Sequence, residues 1–208
     1  MKIIDISPVI DSTIGVWPGD TPFHRTVNLD LRIGDNITLS DIRTTLHVGA
    51  HADAPSHYTP DGADIASRSL DIYLGPCHLI HLPDLGPGAR IVPADLEGHA
   101  IRHPRILFRT DSFPDHRNWN EIFNSLSPEL VDHLDKRGVV LVGLDTPSVD
   151  PFDSKDLEAH QALARCDMAN LEGLALAGAE EGDYELIALP LRIAGADASP
   201  VRAVLRRP

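Results

Sequence analysis

The chain has 208 residues, 42% of them hydrophobic, and carries 31 acidic against 18 basic side chains for a net charge of −13. That length suits one compact domain spanning 1–208. The acidic balance opposes binding to nucleic-acid backbones or anionic lipid, so neither partner is expected. No apolar run approaches the roughly 20 residues a bilayer span needs. Asp5 interrupts the apolar start that a secretory leader would require, and the expected compartment is the cytoplasm. Two cysteines, Cys77 and Cys166, are too few for a disulfide framework or a thiolate zinc site.

In chain order, β-branched and aliphatic enrichment predicts strands over 2–6, 14–17, 26–32, 40–48, 75–81, 105–109, 138–144 and 184–193. A helix is expected over Pro128-Glu129-Leu130-Val131-Asp132-His133-Leu134, with Ser127 as N-cap, proline at its first position and Gly138 as its stop. A second helix begins near Ser154 and carries Leu157, His160, Gln161 and Ala164. A third follows Asn170, where Leu171, Leu174 and Leu176 precede Gly178. Strands dominate the first half and helices enter later, which predicts a mixed α/β domain with a large mixed or antiparallel sheet.

The segment 47–57 holds the chemistry. Its strongly coordinating residues, His47, His51, Asp53 and His57, all have odd numbers, and small or apolar residues lie between them. Extended chain alternates faces with period two, so one face collects imidazoles and a carboxylate. A straight strand at roughly 3.3 Å per residue would hold His47 and His51 about 13 Å apart, too far for one ion. The chain must therefore bend. Gly49 can bend without Cβ strain, and Pro55 redirects the chain so that His57 approaches from another side. Imidazole plus carboxylate favours zinc, with manganese or iron next. The bland alternative, hydrogen-bonded histidines with Asp53 capping a turn, fits a lone histidine better than four donors in so short a stretch.

The pattern His-x-Gly-x-His-x-Asp-x-Pro-x-His resembles the signature of the bacterial cyclase-like metal hydrolases. The string from Gly49 to Tyr58 is most similar to their kynurenine formamidase (arylformamidase) branch. Other members often carry Thr where Ala50 stands. The likeness continues through Val16-Trp17-Pro18-Gly19-Asp20, Gly143-Leu144-Asp145-Thr146-Pro147-Ser148, the His160 helix and Leu171-Glu172-Gly173-Leu174. It ends in 197–205, where Ala198 replaces a common Gly.

The resemblance implies a swivelling β/β/α fold with flanking helices, a homodimer or higher oligomer, and two Zn2+ ions per subunit, with Mn2+ as a substitute. It implies that His47, His51 and Asp53 hold one ion, that Asp53 bridges to a second held by His160, and that Glu172 touches both. His57 becomes the proton donor and acceptor, and Trp17 lines an aryl pocket. The implied reaction is hydrolysis of N-formyl-L-kynurenine by a metal-activated water. The runner-up is another aryl or cyclic amide, such as isatin, on the same metal set. A more distant rival is a non-catalytic protein stapled by its ion. No Gly-x-Ser-x-Gly elbow, Walker loop or Gly-x-Gly-x-x-Gly run supports another site type. Read alone, Asp145-Thr146-Pro147-Ser148 is equally a site wall or a turn, and Trp17-Pro18-Gly19 reads first as a turn with a core indole.

Overall fold

The computed structural model describes residues 2–207. The early strands are β1 (Ile3–Asp5), β2 (His24–Leu29), β3 (Leu39–Arg43), β4 (His51–Asp53), β5 (Leu74–His81), β6 (Arg90–Ile91) and β7 (Arg105–Arg109). After them come β8 (Ser125–Leu126), β9 (Leu141–Leu144), β10 (Ala169–Glu172), β11 (Gly182–Ile187), β12 (Ala198–Pro200) and β13 (Val204–Arg206). Two α-helices, α1 (Pro128–Asp135) and α2 (Glu158–Cys166), lie among these later strands.

Nine strands form one sheet in the order β1-β13-β11-β5-β7-β9-β10-β4-β12. Its central run β5-β7-β9-β10 is parallel, and its flanks are antiparallel, so the sheet is mixed. β2 and β3 pair separately as a hairpin.

Side-chain alternation along β7 divides the core. Ile106 and Phe108 join Ile80, Val142 and Leu144 beneath Leu130, Val131 and Leu134 of α1 and Ala162 and Leu163 of α2. Leu107 faces the other way, with Leu79, Leu141 and Leu171. That second cluster also takes in Ala52 of β4 and Leu205 of β13, from near opposite ends of the strand order, so the sheet curls around it. Each large aliphatic chain buried this way contributes roughly 1.5–3 kcal/mol. Ser127 caps α1 as expected: the Leu130 N–H donates to its Oγ at 3.1 Å.

Four expectations need correction. Residues 14–17 form no strand; the Gly15 N–H donates to the His116 carbonyl at 2.7 Å, which makes this stretch one of two joined loops. The strand expected over 40–48 ends at Arg43, and that over 184–193 ends at Ile187. The helix expected after Asn170 is the fully buried strand β10, paired with β9 on one side and β4 on the other. Ladder bonds on both edges outweigh the helical spacing of Leu171, Leu174 and Leu176, and only a 3-10 turn at Leu176–Gly178 remains.

Candidate metal centre

β4 and β10 run antiparallel with His51 opposite Glu172. Asp53 lies two residues beyond His51, and Asn170 two before Glu172, so all four share one face. Two left-handed bends permit this. Gly49 has φ +60°, Gly173 has φ +64°, and a Cβ at Gly173 would collide with the Gly49 carbonyl. His47 enters from before the first bend, His57 from the 3-10 turn begun by Pro55, and His160 from α2.

Three imidazoles are each pinned by one nitrogen. The His47 Nε2–H donates to Asp197 Oδ2 at 3.1 Å, the His51 Nδ1–H to the Gly49 carbonyl at 2.9 Å, and the His160 Nδ1–H to Asp150 Oδ2 at 2.8 Å. Asp150 also caps α2, accepting from the backbone N–H groups of Ala159 and His160 at 2.9 and 3.0 Å. The acceptors set the tautomers, and each ring's free nitrogen turns inward.

Those inward nitrogens meet two carboxylates. His47 Nδ1 lies 3.0 Å from Asp53 Oδ1, and His51 Nε2 lies 3.4 Å from both Asp53 Oδ1 and Glu172 Oε2. His160 Nε2 lies 3.4 Å from Asp53 Oδ2 and 3.5 Å from Glu172 Oε1. Ligand bonds of about 2.1 Å in a tetrahedron put donor atoms about 3.4 Å apart, the spacing seen here. Asp53 and Glu172 each turn one oxygen to His51 and the other to His160. Among the described residues, His51 Nε2 and Asp53 Oδ1 are buried without a hydrogen-bond partner, a costly state that cation coordination would relieve. The donor set therefore fits divalent cations. Candidate groupings by proximity are His51-Asp53-Glu172 and His47-Asp53-His57, each with donor atoms within 4.8 Å of one another.

Electrostatics support that fit. Burial opposes charge on His47, but Asp53 and Asp197 outweigh it and raise its pKa from 6.5 to about 9. For His160, burial is likewise overcome by Asp150, Asp53 and Glu172, and its pKa rises well above the usual value. Burial works against ionisation of Asp53, yet His160 and His47 hold its carboxyl well below the usual range. Glu172 is lowered too, against burial and the Asp53 charge, by His160 and His51. His57 differs: its side chain is 34% exposed, and partial desolvation lowers its pKa, leaving it neutral near pH 7. Its Nδ1 lies 3.6 Å from Asp197 Oδ2, and its ring centroid 4.2 Å from that of His47.

The centre opens into a cleft of about 460 Å3 whose other end is aromatic. Trp17 stacks on Phe152 with centroids 4.9 Å apart and meets Trp119 edge-on at 5.4 Å. Phe113 packs edge-on against Trp119 at 5.6 Å. Trp17 is thus a wall of the same cleft that His47, His51, His57, His160 and Glu172 line.

The Cyclase family model matches residues 4–151. The chain belongs to the Cyclase family. A kynurenine formamidase of Bordetella petrii is 46% identical over 207 residues, covering 99% of this chain and 98% of that protein. A solved structure described as a potential metal-dependent hydrolase with cyclase activity superposes with a TM-score of 0.86 at 26% identity, covering 100% of this chain and 99% of the other. Isatin hydrolase A from Labrenzia aggregata shares the fold, with a TM-score of 0.81 at 22% identity over 98% of this chain and 93% of its own. These cyclase relatives give the α/β domain its fold class.

All seven residues singled out in the sequence line this cleft or contact the residues that do. Three more escaped sequence reading. Asp150 and Asp197 pin histidines, and the Asn170 Nδ2–H group donates to Asp53 Oδ2 at 2.7 Å and Glu172 Oε1 at 3.0 Å. Asp197 lies 150 positions from His47, so no local spacing announces the pair. Asn170 was recognisable only once 169–172 was known to be a strand, with its alternate residues on one face.

Proposed function

We propose that this chain hydrolyses N-formyl-L-kynurenine to L-kynurenine and formate, a step of tryptophan degradation, at a centre of two zinc ions. The observation that carries the reading is one cleft with carboxylate-linked imidazoles at one end and an aromatic wall at the other. An aryl formamide has the same two parts. The high similarity to kynurenine formamidases supports the substrate.

In this reading His47, His51, Asp53 and Glu172 hold one cation, and Asp53, Glu172 and His160 the other. The cations, when bound, supply Lewis acidity that lowers the pKa of water and polarises the formyl oxygen. The residues do the rest. Trp17 and Trp119 take the aryl ring against a flat apolar face and direct the formamide towards the histidines. His57, neutral through its depressed pKa, accepts a proton as water adds to the formyl carbon. It returns that proton to the aniline nitrogen as the C–N bond breaks, releasing formate. Asp197 sits beside His57 Nδ1 and orients the ring.

The assembly proposed is a homodimer. Its support is the β2–β3 hairpin, which exposes Leu31, Ile33, Leu39 and Ile42 as apolar surface for a second copy. A cytoplasmic location is proposed with two free thiols, Cys77 and Cys166, as its support. The deciding experiment measures metal stoichiometry alongside turnover of N-formyl-L-kynurenine and isatin in direct competition. Two ions per chain and preference for the formamide support the reading. Preference for isatin, or turnover independent of metal, rejects it.

A further inference from the structure

We propose that the buried side chain of Asp145 is a positioning group that aims the aromatic wall of the cleft, and hence selects the ring of the substrate. This rests on the aryl-amide reading above and deepens it.

Asp145 follows directly on β9 and does not line the cleft, whereas its neighbours Pro147 and Ser148 do. Its Oδ1 accepts from the Thr110 hydroxyl at 2.7 Å. Its Oδ2 accepts from the backbone N–H groups of Thr110 at 2.9 Å and Asp111 at 2.8 Å. These donors stand where β7 ends and the loop 110–124 departs. Asp111 has φ +55°, a left-handed conformation unusual for a non-glycine residue, and its N–H bond to Asp145 holds that turn.

The network continues through the loop. Thr110 Oγ1 and Ser112 Oγ share a hydrogen bond of 2.8 Å, and Ser112 Oγ accepts the Asn124 N–H at 2.9 Å. The Asn120 Nδ2–H group donates to the Ser112 carbonyl at 3.1 Å. Both ends of the loop are thereby tied to one buried carboxylate, and between them lie Phe113, His116 and Trp119. The bond from the Gly15 N–H to the His116 carbonyl then couples this loop to the one bearing Trp17.

A plain stitch between strands does not explain the arrangement. β7 and β9 are already joined by their parallel ladder, up to Phe108 opposite Leu144. What the carboxylate adds is the direction in which the loop leaves. It does so at a cost, because burial among neutral donors pushes the Asp145 carboxyl above its ordinary pKa despite the Thr110 bonds.

The chain's only two tryptophans, Trp17 and Trp119, both stand in this wall, so intrinsic fluorescence reports its position independently of turnover. The test compares zinc-loaded wild type with Ser112→Ala, Asp145→Ala and Asp145→Asn. In both alanine variants, KM for N-formyl-L-kynurenine and Kd for L-kynurenine, read by tryptophan quenching, rise about tenfold, the scale of one or two lost hydrogen bonds. Their kcat stays within about twofold on the same scale, metal content is unchanged, and the emission maximum moves. Asp145→Asn retains most of the wild-type KM, because its amide oxygen accepts both backbone N–H groups and the Thr110 hydroxyl can turn to accept from the amide nitrogen.

Unmoved emission and unmoved KM in Ser112→Ala overturn the proposal. So does a fall in kcat and metal content at constant KM. If Asp145→Ala does not fold, Ser112→Ala decides alone. A wild type that does not hydrolyse N-formyl-L-kynurenine rejects the functional reading, while the emission shifts still decide the clamp.

Discussion

At the floor of the cleft, His51, Asp53, His160 and Glu172 are each only 2–3% exposed and sit on β4, β10 and α2. At its other end, Trp17, Phe113 and Trp119 stand on loops without regular structure. The floor is held by charge-assisted hydrogen bonds in a low-dielectric interior, where donor directions are stiff. The aromatic end is held by ring packing and a few loop hydrogen bonds, which tolerate displacement. Four of the donors that the proposed chemistry needs within tenths of an ångström therefore lie on regular elements, whereas the rings proposed to select a flat substrate lie on loops.

Metal removal breaks this contrast most severely. Chelation should abolish turnover while leaving far-UV circular dichroism intact, because neither hydrophobic core includes a proposed ligand side chain. A collapsed spectrum would mean that the ion is a structural staple instead. Glu172→Ala comes next. It should lose at least one ion by elemental analysis, and lose more activity than the roughly 100-fold typical of outer-shell partners. Full occupancy with normal turnover would reject a bridging role. His57→Ala should keep its metal and lose about 10²–10⁴ in kcat, the range for a general acid–base group; an empty site in that variant would make His57 a ligand.

A smaller effect separates His47 from the wall. Its pKa in the metal-free protein is raised to about 9, so its paired charge stabilises that state fully below about pH 6.5 and ceases to do so as pH rises through 9. A cation needs the same Nδ1 without its proton. Apparent metal affinity should therefore climb at least about tenfold per pH unit towards 9, because His47, like His160, must first give up a proton. A flat profile from pH 7 to about 9 in a chelator competition would remove His47 from the ligand set. Trp17→Ala sharpens the other end: KM should rise about tenfold with kcat nearly unchanged, as lost uniform binding requires. An equal loss in kcat would place the indole in the chemistry itself.

Local pattern was enough for elements whose neighbours agree with it. β7 fills the expected span 105–109, and α1 begins at its capping serine and proline. It was enough for the bend at Gly49, since straight geometry could not bring His47 and His51 together, and their ring centroids lie 5.0 Å apart. It failed at Leu171, where sheet neighbours on both sides decided the conformation. It left Asp145 undecided between a site wall and a turn, because its hydrogen-bond partners are remote in sequence.

The amino-acid order by itself picked out 47–57 as the candidate metal-ligating segment, because its parity, glycine and proline act over a few residues of one chain. It also determined the mixed α/β character through periodicity. Only the tertiary structure decided which oxygen of Asp53 and Glu172 meets which histidine, that Asp150 and Asp197 each accept a hydrogen bond from a histidine ring, and that Asp145 bonds to Thr110 and Asp111 at the start of the aromatic loop. Each of those contacts joins positions far apart in the chain, and only closure of the sheet brings them within bonding distance.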